Sequence, residues 1–546
     1  MFSFQAAFVG APAALALALA LTLAFAPALA TLIVGALSVY IATTGVYRLF
    51  FHPLAKFPGP RLAAVSPIWR YYHCLSGRYA FAIEDALRKY GDVVRIAPNE
   101  LVFMNHQAFI DIYGAQHNGR ETFLKTSTAW GRDLLGHTSI ADKLLVKFRG
   151  ALTNYELIIR TQAEAILDYI YARSRYEEPE TVLPLLEFIN WFAMDVALNL
   201  TYYDDPCLHD IVHLSPKFDL AHAWNALVPI FQMFGRIPLL RSLLSLVPAL
   251  LEKLGSFGFF VGEATAGSLQ WLARRPKLFR LVQTIMAKGY WSSFVLVPAV
   301  DIEGERRVLG VERQISTDRV ASAGAQLVLA SFNPMVDWLY FTMVHLLQNP
   351  VWCTLLEEEI RSNFPPESSM EFGAQLEGLP ILHACLLESL RLVAGYINGL
   401  PRISPGAVID GYFVPKGVIV QTSVFALARN PRYFNEPLQY RPERWLGPYD
   451  AVSGSLRPWR KTAFTGDGGI WLPHFSTGLR DCMGEGVAWM QAKLFVANII
   501  RQMNISLPEG QAAPDLERLS HYGSWVKPEI MVDFDRVPQD GDSEGW

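Results

Sequence analysis

A long uncharged run at the N-terminus constrains this chain more than any other feature. Residues 2–47 contain no Lys, Arg, Asp or Glu and consist mainly of aliphatic and aromatic residues. A helix needs about 20 apolar residues to cross a bilayer, so the run exceeds one crossing. A cleaved signal peptide would be shorter and would begin with basic residues. The run therefore predicts a retained membrane anchor, either one span with an interfacial segment or a helical hairpin broken near Pro27.

The residues after the run orient the chain. Positive charge first appears at Arg48, Lys56 and Arg61, and the positive-inside rule then places the remaining chain on the cytosolic side. The intervening stretch FFHPLAKFPGP holds three prolines, which cannot continue a helix and favour a stiff hinge. We therefore expect an anchor at residues 1–50 and one catalytic body at 51–546.

Composition narrows the functional class. The formal net charge is −4 with 18% charged residues, whereas a nucleic-acid-binding protein would present a basic face. The five cysteines are odd in number and widely scattered, so they fit neither a disulfide framework nor a zinc cluster. A reducing compartment and no nucleic-acid partner are expected.

The body is predicted to be mainly α with a minor β region. Residues 93–105 alternate like two short strands around a turn at Pro98-Asn99, and 406–424 form strand-like runs separated by Gly and Pro. From about 107 to 400 the apolar residues recur at helical spacing. No linker is long or polar enough to divide this body into independent domains.

Residues 225–260 are unusually apolar and carry few charges. Two interpretations remain open from the sequence. The segment forms a pair of core helices, or it forms a surface that dips into the bilayer beside the anchor.

One cysteine differs from the other four in its surroundings. Cys482 lies in HFSTGLRDCMGEGVAW, with glycines on both sides and a helical pattern directly after it. Exposed N–H groups at a helix N-terminus favour a thiolate, and the glycines allow a large flat group to approach the backbone. Arg480 supplies a cation for an acidic group of such a partner, and Phe475 supplies an aromatic face.

The spacing F-x-x-G-x-R-x-C-x-G resembles the heme-binding loop of the cytochrome P450 superfamily. The resemblance implies a cytochrome P450 fold after the anchor and heme as the cofactor. It also implies that Cys482 is the axial thiolate ligand of the heme iron, whose electron donation favours O–O cleavage. Arg480 would then meet a heme propionate.

Two upstream motifs extend the resemblance. LLESLRL contains Glu388 and Arg391 on one helix face, and RPERW contains Arg444. Their order matches the family, in which these residues form a buried charge network that supports the heme-side core. LPRISP resembles the segment between them, which implies that Arg402 reaches a heme propionate. The anchor, the PGP stretch and APNELVF resemble membrane-bound fungal members.

The helix that crosses the heme in this family departs from the common pattern here. The family carries an acid followed by an alcohol, which deliver protons to iron-bound oxygen, where this chain has Asn333 and Pro334 after Ser331. Asn333 can form hydrogen bonds without shuttling a proton, and Pro334 has neither hydroxyl nor N–H. Pro334 is also expected to interrupt the helix locally.

Three functions follow from the resemblance and its departure. The first is an NADPH- and O2-dependent monooxygenase acting on a hydrophobic secondary-metabolite intermediate, with protons from substrate, water or Ser331 and with Asn333 in the catalytic site. The second is redox-neutral or otherwise atypical chemistry, such as rearrangement, dehydration, cyclisation or desaturation. The third is a heme-binding protein without turnover.

The resemblance also implies the setting of the enzyme. Its electron donor would be an NADPH-cytochrome P450 reductase in the same membrane. That membrane is taken to be the endoplasmic reticulum, with the catalytic body in the cytosol.

Overall fold

The computed structural model describes residues 31–114, 123–125, 152–175, 182–202, 317–446 and 472–537, apart from 33, 366–369, 394–395, 398, 479–480 and 483. The described helices of the body are α1 Arg61–Val65, α2 Ile68–Leu75, α3 Tyr79–Tyr90, α4 His106–Tyr113, α5 Leu152–Arg175, α6 Leu185–Tyr202, α7 Thr317–Gln348, α8 Pro350–Asn363, α9 Ala374–Glu377, α10 Pro380–Val393, α11 Val424–Ala428 and α12 Glu485–Gln502. The strands are β1 Val93–Ala97, β2 Glu100–Phe103, β3 Leu124–Lys125, β4 Val182–Pro184, β5 Arg402–Ile403, β6 Ala407–Ile409, β7 Tyr412–Val414, β8 Ile419–Thr422, β9 Met503–Ser506 and β10 Met531–Arg536. Predictions for residues 1–30, 225–260, Cys207 and Arg480 lie outside the described residues.

The N-terminal helix precedes the body. Within the described part of the chain it is the one helix long and apolar enough to cross a membrane, over Val34–Phe51. Its last five residues, Tyr47–Phe51, form a π-helix. Its large apolar side chains, such as Leu37 and Ile41, are exposed.

The proline-containing stretch after this helix is packed against the body. Leu54 and Phe57 are buried, and the Pro58 carbonyl accepts the backbone N–H of Arg95 at 2.8 Å. The Arg95 guanidinium in turn donates to the carbonyl of Arg48 at 2.8 Å. The prediction of a hinge is therefore wrong, because apolar side chains between the prolines join the core and hold the stretch in place.

Gly59 lies where this stretch crosses β1, and a substitution there tests the packing. A Cβ at this position would collide with the Arg95 carbonyl oxygen and lie 3.1 Å from the Arg95 nitrogen. We expect Gly59→Ala to lower the free energy of unfolding by about 1–3 kcal/mol, as overpacking does, measured by chemical denaturation. In the control Gly373→Ala the added Cβ meets nothing within 4 Å, and a change within about 0.5 kcal/mol is expected. Equal losses in both variants would contradict the close packing.

The described strands form three small sheets. The largest has the order β1-β2-β8-β5-β3, and the other two have the orders β4-β10-β9 and β6-β7. β1 and β2 pair antiparallel, with Val93 opposite Phe103, while β2 and β8 pair parallel. The strands expected at 93–105 and 406–424 are therefore confirmed.

Helices form the main core. α7 packs against α6, α10 and α12. Its fully buried residues follow helical spacing at Phe332, Val336, Leu339 and Met343. Because one face of α7 is buried along this length, the helix is held by packing more than by intrinsic propensity. The predicted fold class, mainly α with a minor β region, is confirmed.

α7 passes through Pro334 without ending. The helix is assigned continuously over its 32 residues with Pro334 inside it, so the expected interruption is wrong at the level of secondary structure. Phe332 and Met335 beside the proline are buried, whereas Pro334 itself is exposed. Packing on both sides holds the helix together where the proline removes a backbone donor.

Candidate active site

The loop that carries Cys482 leads directly into α12. The Cys482 N–H donates to the Phe475 carbonyl at 2.8 Å, which closes the loop. Gly484 is the N-cap of α12. The thiol therefore lies beside the positive end of an 18-residue helix, where a thiolate is stabilised.

Cys482 is the accessible cysteine among those that the structure describes. Its residue is exposed, whereas Cys74, Cys353 and Cys385 are buried. Burial raises the pKa of Cys353 to about 12 and the pKa of Cys385 to about 12. Both side chains are buried in the core, where a large cofactor cannot reach them.

Tyr396 connects the cysteine loop to the segment after α10. Its hydroxyl donates to the Pro473 carbonyl and accepts the Ser476 N–H at 3.0 Å. Burial raises the pKa of Tyr396, and the charges of Cys482 and Arg402 also act on it. Sequence reasoning missed this residue, because a tyrosine in a turn carries no distinctive signal.

Arg402 lies on β5 beside this tyrosine and is buried. Its guanidinium donates to the carbonyls of Leu400 at 3.3 Å and Pro401 at 3.1 Å. It also lies 5.1 Å from the centre of the Tyr113 ring. A role for Arg402 toward a heme propionate remains a prediction, as does that of Arg480.

The structure brings Glu388, Arg391 and Arg444 together in a buried network. The Glu388 carboxylate accepts two hydrogen bonds from Arg391, both at 2.8 Å, and one from Arg444 at 3.0 Å. It also accepts the indole N–H of Trp445 at 2.8 Å and the backbone N–H of Arg441 at 2.9 Å. A carboxylate with five donors is fully satisfied without water, as a buried charge requires.

Arg391 spreads this network to neighbouring loops. Its guanidinium donates to the carbonyls of Ala428 at 2.6 Å and Pro437 at 2.7 Å. The side chains of Arg391 and Glu388 are both 0% exposed. The network thus joins α10, α11 and the loops before RPERW in the core, and no substrate can reach it.

A buried histidine next to this network predicts acid sensitivity. Burial, together with the positive charge of Arg391, lowers the pKa of His345 to about 3, against about 6.5 in an unfolded chain. Between these values the unfolded chain binds a proton that the folded protein does not. The free energy of unfolding therefore falls as pH is lowered through 6.5, by about 2 kcal/mol at a pH of about 5 for this group.

The measurement is the free energy of unfolding against pH in the wild type and in His345→Gln. His345 lies 3.2 Å from the Ser389 hydroxyl, a contact that glutamine can keep. Burial also lowers the pKa of His383 and of His474 to about 3, so both chains should lose stability in acid. The variant should lose it with a shallower slope, and identical slopes would refute the assignment to His345.

Several residues of α7 around Pro334 are accessible; α7 is called the distal helix below, because it corresponds to the helix expected to cross the heme. Ser331 and Asn333 are half-buried, and Pro334 and Ala330 are exposed. The Asn333 amide makes no hydrogen bond to another described residue. Within residues 330–346, where most side chains are buried, this strip is open to a bound molecule.

A partly buried ion pair lies one turn further along α7. The Asp337 carboxylate accepts from Lys527 at 2.5 Å and from the Ser524 hydroxyl at 2.9 Å. This pair ties α7 to the C-terminal segment. It was not predicted, although an acid in the apolar run around Asp337 signals a buried partner.

The cysteine loop also contacts α7. The rings of Phe475 and Trp338 have centroids 6.2 Å apart. His474, which precedes Phe475, is buried, and neither of its ring nitrogens has a hydrogen-bond partner in the structure as described. A buried polar group of this kind is often satisfied by a bound group. The exposed thiol in a glycine-flanked loop and the unpartnered His474 ring beside it suit a prosthetic group bound at this loop.

Comparisons with known proteins agree with this geometry. A family model described as Cytochrome P450 matches residues 306–534. Cytochrome P450 monooxygenase TwmD of Talaromyces wortmannii is 34% identical over 524 residues, which cover 93% of this chain and 96% of that protein. The chain belongs to the cytochrome P450 family. Cytochrome P450 monooxygenase BOA3 of Botryotinia fuckeliana is 29% identical and covers 91% of this P450 and 94% of its own length.

Solved structures support the fold of this P450. A zebra fish cytochrome P450 with abiraterone has a TM-score of 0.58 and 16% identity, and covers 84% of this chain and 99% of that one. At this identity the likeness concerns the fold alone. The predicted superfamily, fold and enzyme class are confirmed. This P450 is an oxidoreductase of the monooxygenase class, and heme is the cofactor that its family implies.

Proposed function

We propose that this P450 inserts one oxygen atom from O2 into a hydrophobic secondary-metabolite intermediate. Electrons come from NADPH through a cytochrome P450 reductase. The observation that carries the proposal is the Cys482 thiol, accessible at the start of α12 in a loop that contacts the distal helix. A heme bound there supplies the activation of dioxygen, and a thiolate ligand favours O–O cleavage.

In this proposal, the residues around Cys482 hold the heme in place. Cys482 binds the heme iron. Phe475 shields the loop and closes it through the hydrogen bond from Cys482, while Arg480 and Arg402 pair with the heme propionates. The network of Glu388, Arg391 and Arg444 keeps the surrounding core rigid from a distance.

Residues of the distal side control water and protons. The Asn333 amide can orient a water molecule or a substrate hydroxyl by hydrogen bonding, but it cannot release a proton at physiological pH. The Ser331 hydroxyl is half-buried on the same helix and can relay a proton between waters. The proton source is therefore solvent or the substrate itself.

A second candidate function rests on the same segment. Pro334 is exposed where the family commonly has an alcohol, and it offers neither a hydroxyl nor an N–H. Redox-neutral chemistry, such as rearrangement, dehydration or redox-neutral cyclisation, needs no proton delivery to oxygen, so the lack of a built-in relay would not impede it. Atypical oxidative chemistry, such as desaturation, would still draw its protons from solvent or substrate. A heme-binding protein without turnover is less favoured than either enzymatic function, since the relatives are named monooxygenases.

The setting of the enzyme is also part of the proposal. The helix Val34–Phe51 is long and apolar enough to anchor the chain. Residues 1–50 would form the anchor and 51–546 the catalytic body, with the body facing the cytosol at the endoplasmic reticulum. The reductase would then meet the body in the same membrane. The proposed secondary-metabolite substrate rests on the resemblance of the anchor and the PGP stretch to membrane-bound fungal members of the family.

An isotope experiment separates the two functions. The full chain in lipid nanodiscs is incubated with reductase, NADPH, labelled dioxygen and a panel of terpenoid, polyketide and alkaloid intermediates. A product with one labelled oxygen atom supports monooxygenation. A product formed without NADPH and without label supports redox-neutral chemistry and overturns the primary proposal.

A further inference from the structure

Four aromatic side chains, Phe475, Trp338, Trp489 and His383, form a continuous column that leads away from the cysteine loop. Trp338 of α7 contacts the Phe475 ring at 6.2 Å and the Trp489 ring of α12 at 4.9 Å, almost perpendicular to it. Trp489 is in turn stacked on His383 of α10, with centroids 4.4 Å apart and planes within 4°. The Phe475 backbone carbonyl accepts the Cys482 N–H at 2.8 Å, so the column begins at a residue of the cysteine loop.

The burial of the two tryptophans differs along the column. Trp338 is 2% exposed, and its indole N–H donates to the Leu386 carbonyl at 2.9 Å. Trp489 is half-buried, so solvent has access to part of this residue. A carbonyl is too weak a base to take the indole proton, whereas water beside Trp489 can take it.

This difference gives electron transfer a direction. An indole ring loses one electron more easily than a phenyl ring such as that of Phe475, and rings in contact exchange electrons readily. A cation radical on Trp338 keeps its proton and remains a strong oxidant. A radical on Trp489 can lose its proton to water and become neutral, so an oxidising equivalent is more stable at the outer ring.

We infer that the pair Trp338–Trp489 is an escape route for oxidising equivalents that remain on the heme when oxygen is activated without a substrate to accept it. This inference rests on the proposed heme-thiolate function of Cys482. Phe475 and the distal helix bring the column to the heme side, and the His383 ring holds Trp489 in place by stacking.

The electron balance is simple. Trp338 loses one electron, and the heme-centred oxidant is reduced by one electron. Trp489 then reduces the Trp338 radical and releases its indole proton to water. A thiol or ascorbate in solution restores Trp489 by supplying one electron and one proton, so no bond of the protein is broken.

The test follows the radical and the heme separately. The full-length holoenzyme in nanodiscs is mixed with meta-chloroperbenzoic acid without substrate, frozen within milliseconds and measured by electron paramagnetic resonance. In the wild type we expect a tryptophan radical whose hyperfine pattern fits Trp489. In Trp489→Phe that signal should be lost, and the heme Soret band should bleach several-fold faster under repeated peracid.

Two further variants complete the test. Trp489→Tyr retains an oxidisable ring and should restore slow bleaching with a tyrosine radical. The matched control is Trp191→Phe. Trp191 lies on α6, is also half-buried and has its ring 4.7 Å from the Tyr169 ring of α5. This variant should leave the radical and the bleaching rate unchanged.

The outcomes are distinct. An unchanged tryptophan signal in Trp489→Phe, or equal effects in Trp191→Phe, would overturn the route while leaving the heme function intact. Wild-type protein without a red-shifted Soret band in its reduced carbon-monoxide spectrum would instead show that the heme-thiolate proposal has failed, and the escape route with it.

Discussion

Replacing Cys482 by serine is expected to abolish the red-shifted Soret band of the reduced carbon-monoxide complex. Serine cannot supply a thiolate, so the iron loses the electron donation that shifts the band. Product formation should fall by more than about a hundredfold. That is more than the loss typical when a residue that only hydrogen-bonds to a metal ligand is replaced. The measurement is the difference spectrum of dithionite-reduced membranes, with heme content determined in parallel.

The matched control for this substitution is Cys353→Ser. Cys353 is buried and its thiol already lies 3.5 Å from a Glu357 carboxylate oxygen, so a serine hydroxyl can make the same hydrogen bond. That variant should keep both the band and the activity. A normal band in Cys482→Ser would show that another residue binds the iron.

The second large effect is expected from Glu388→Gln. The amide keeps the shape of the side chain but removes the negative charge that compensates Arg391 and Arg444, whose side chains are 0% and 4% exposed. Breaking a buried ion pair from one side typically costs about 3–5 kcal/mol. Since domains are stable by only about 5–15 kcal/mol, the variant should unfold at much lower denaturant and lose heme at moderate temperature.

Glu443→Gln is the control, because it removes a similar charge from the surface. Glu443 pairs with Arg441 at 2.8 Å, but its side chain is 44% exposed. Exposed pairs contribute at most about 1 kcal/mol, so this variant should unfold almost like the wild type. Similar losses in the two variants would contradict a special role for the buried network.

Local patterns in the sequence predicted those parts of the molecule that depend on neighbouring residues. The strands at 93–105 and 406–424 follow from alternation and turn residues, and the helical body follows from apolar spacing. The cysteine loop was identifiable because residues at five fixed positions within a stretch of ten resemble one family. Glu388, Arg391 and Arg444 were named by motif, and the structure places them in contact.

Contacts between distant segments were decided only by the tertiary structure. The stretch after the anchor looked like a hinge, yet Leu54 and Phe57 are buried in the body. Pro334 looked like a helix break, yet packing carries α7 through it.

The largest unpredicted contacts join segments far apart in the chain. Asp337 meets Lys527, and the Tyr396 hydroxyl meets the cysteine loop. Trp338 of α7 meets Trp489 of α12. The physical reason is that periodicity records which face of an element is apolar, whereas the partner of that face is chosen by how all the elements pack together. The sequence by itself determined the helical class and, through the motif around Cys482, the family. Packing decided which segments surround that loop.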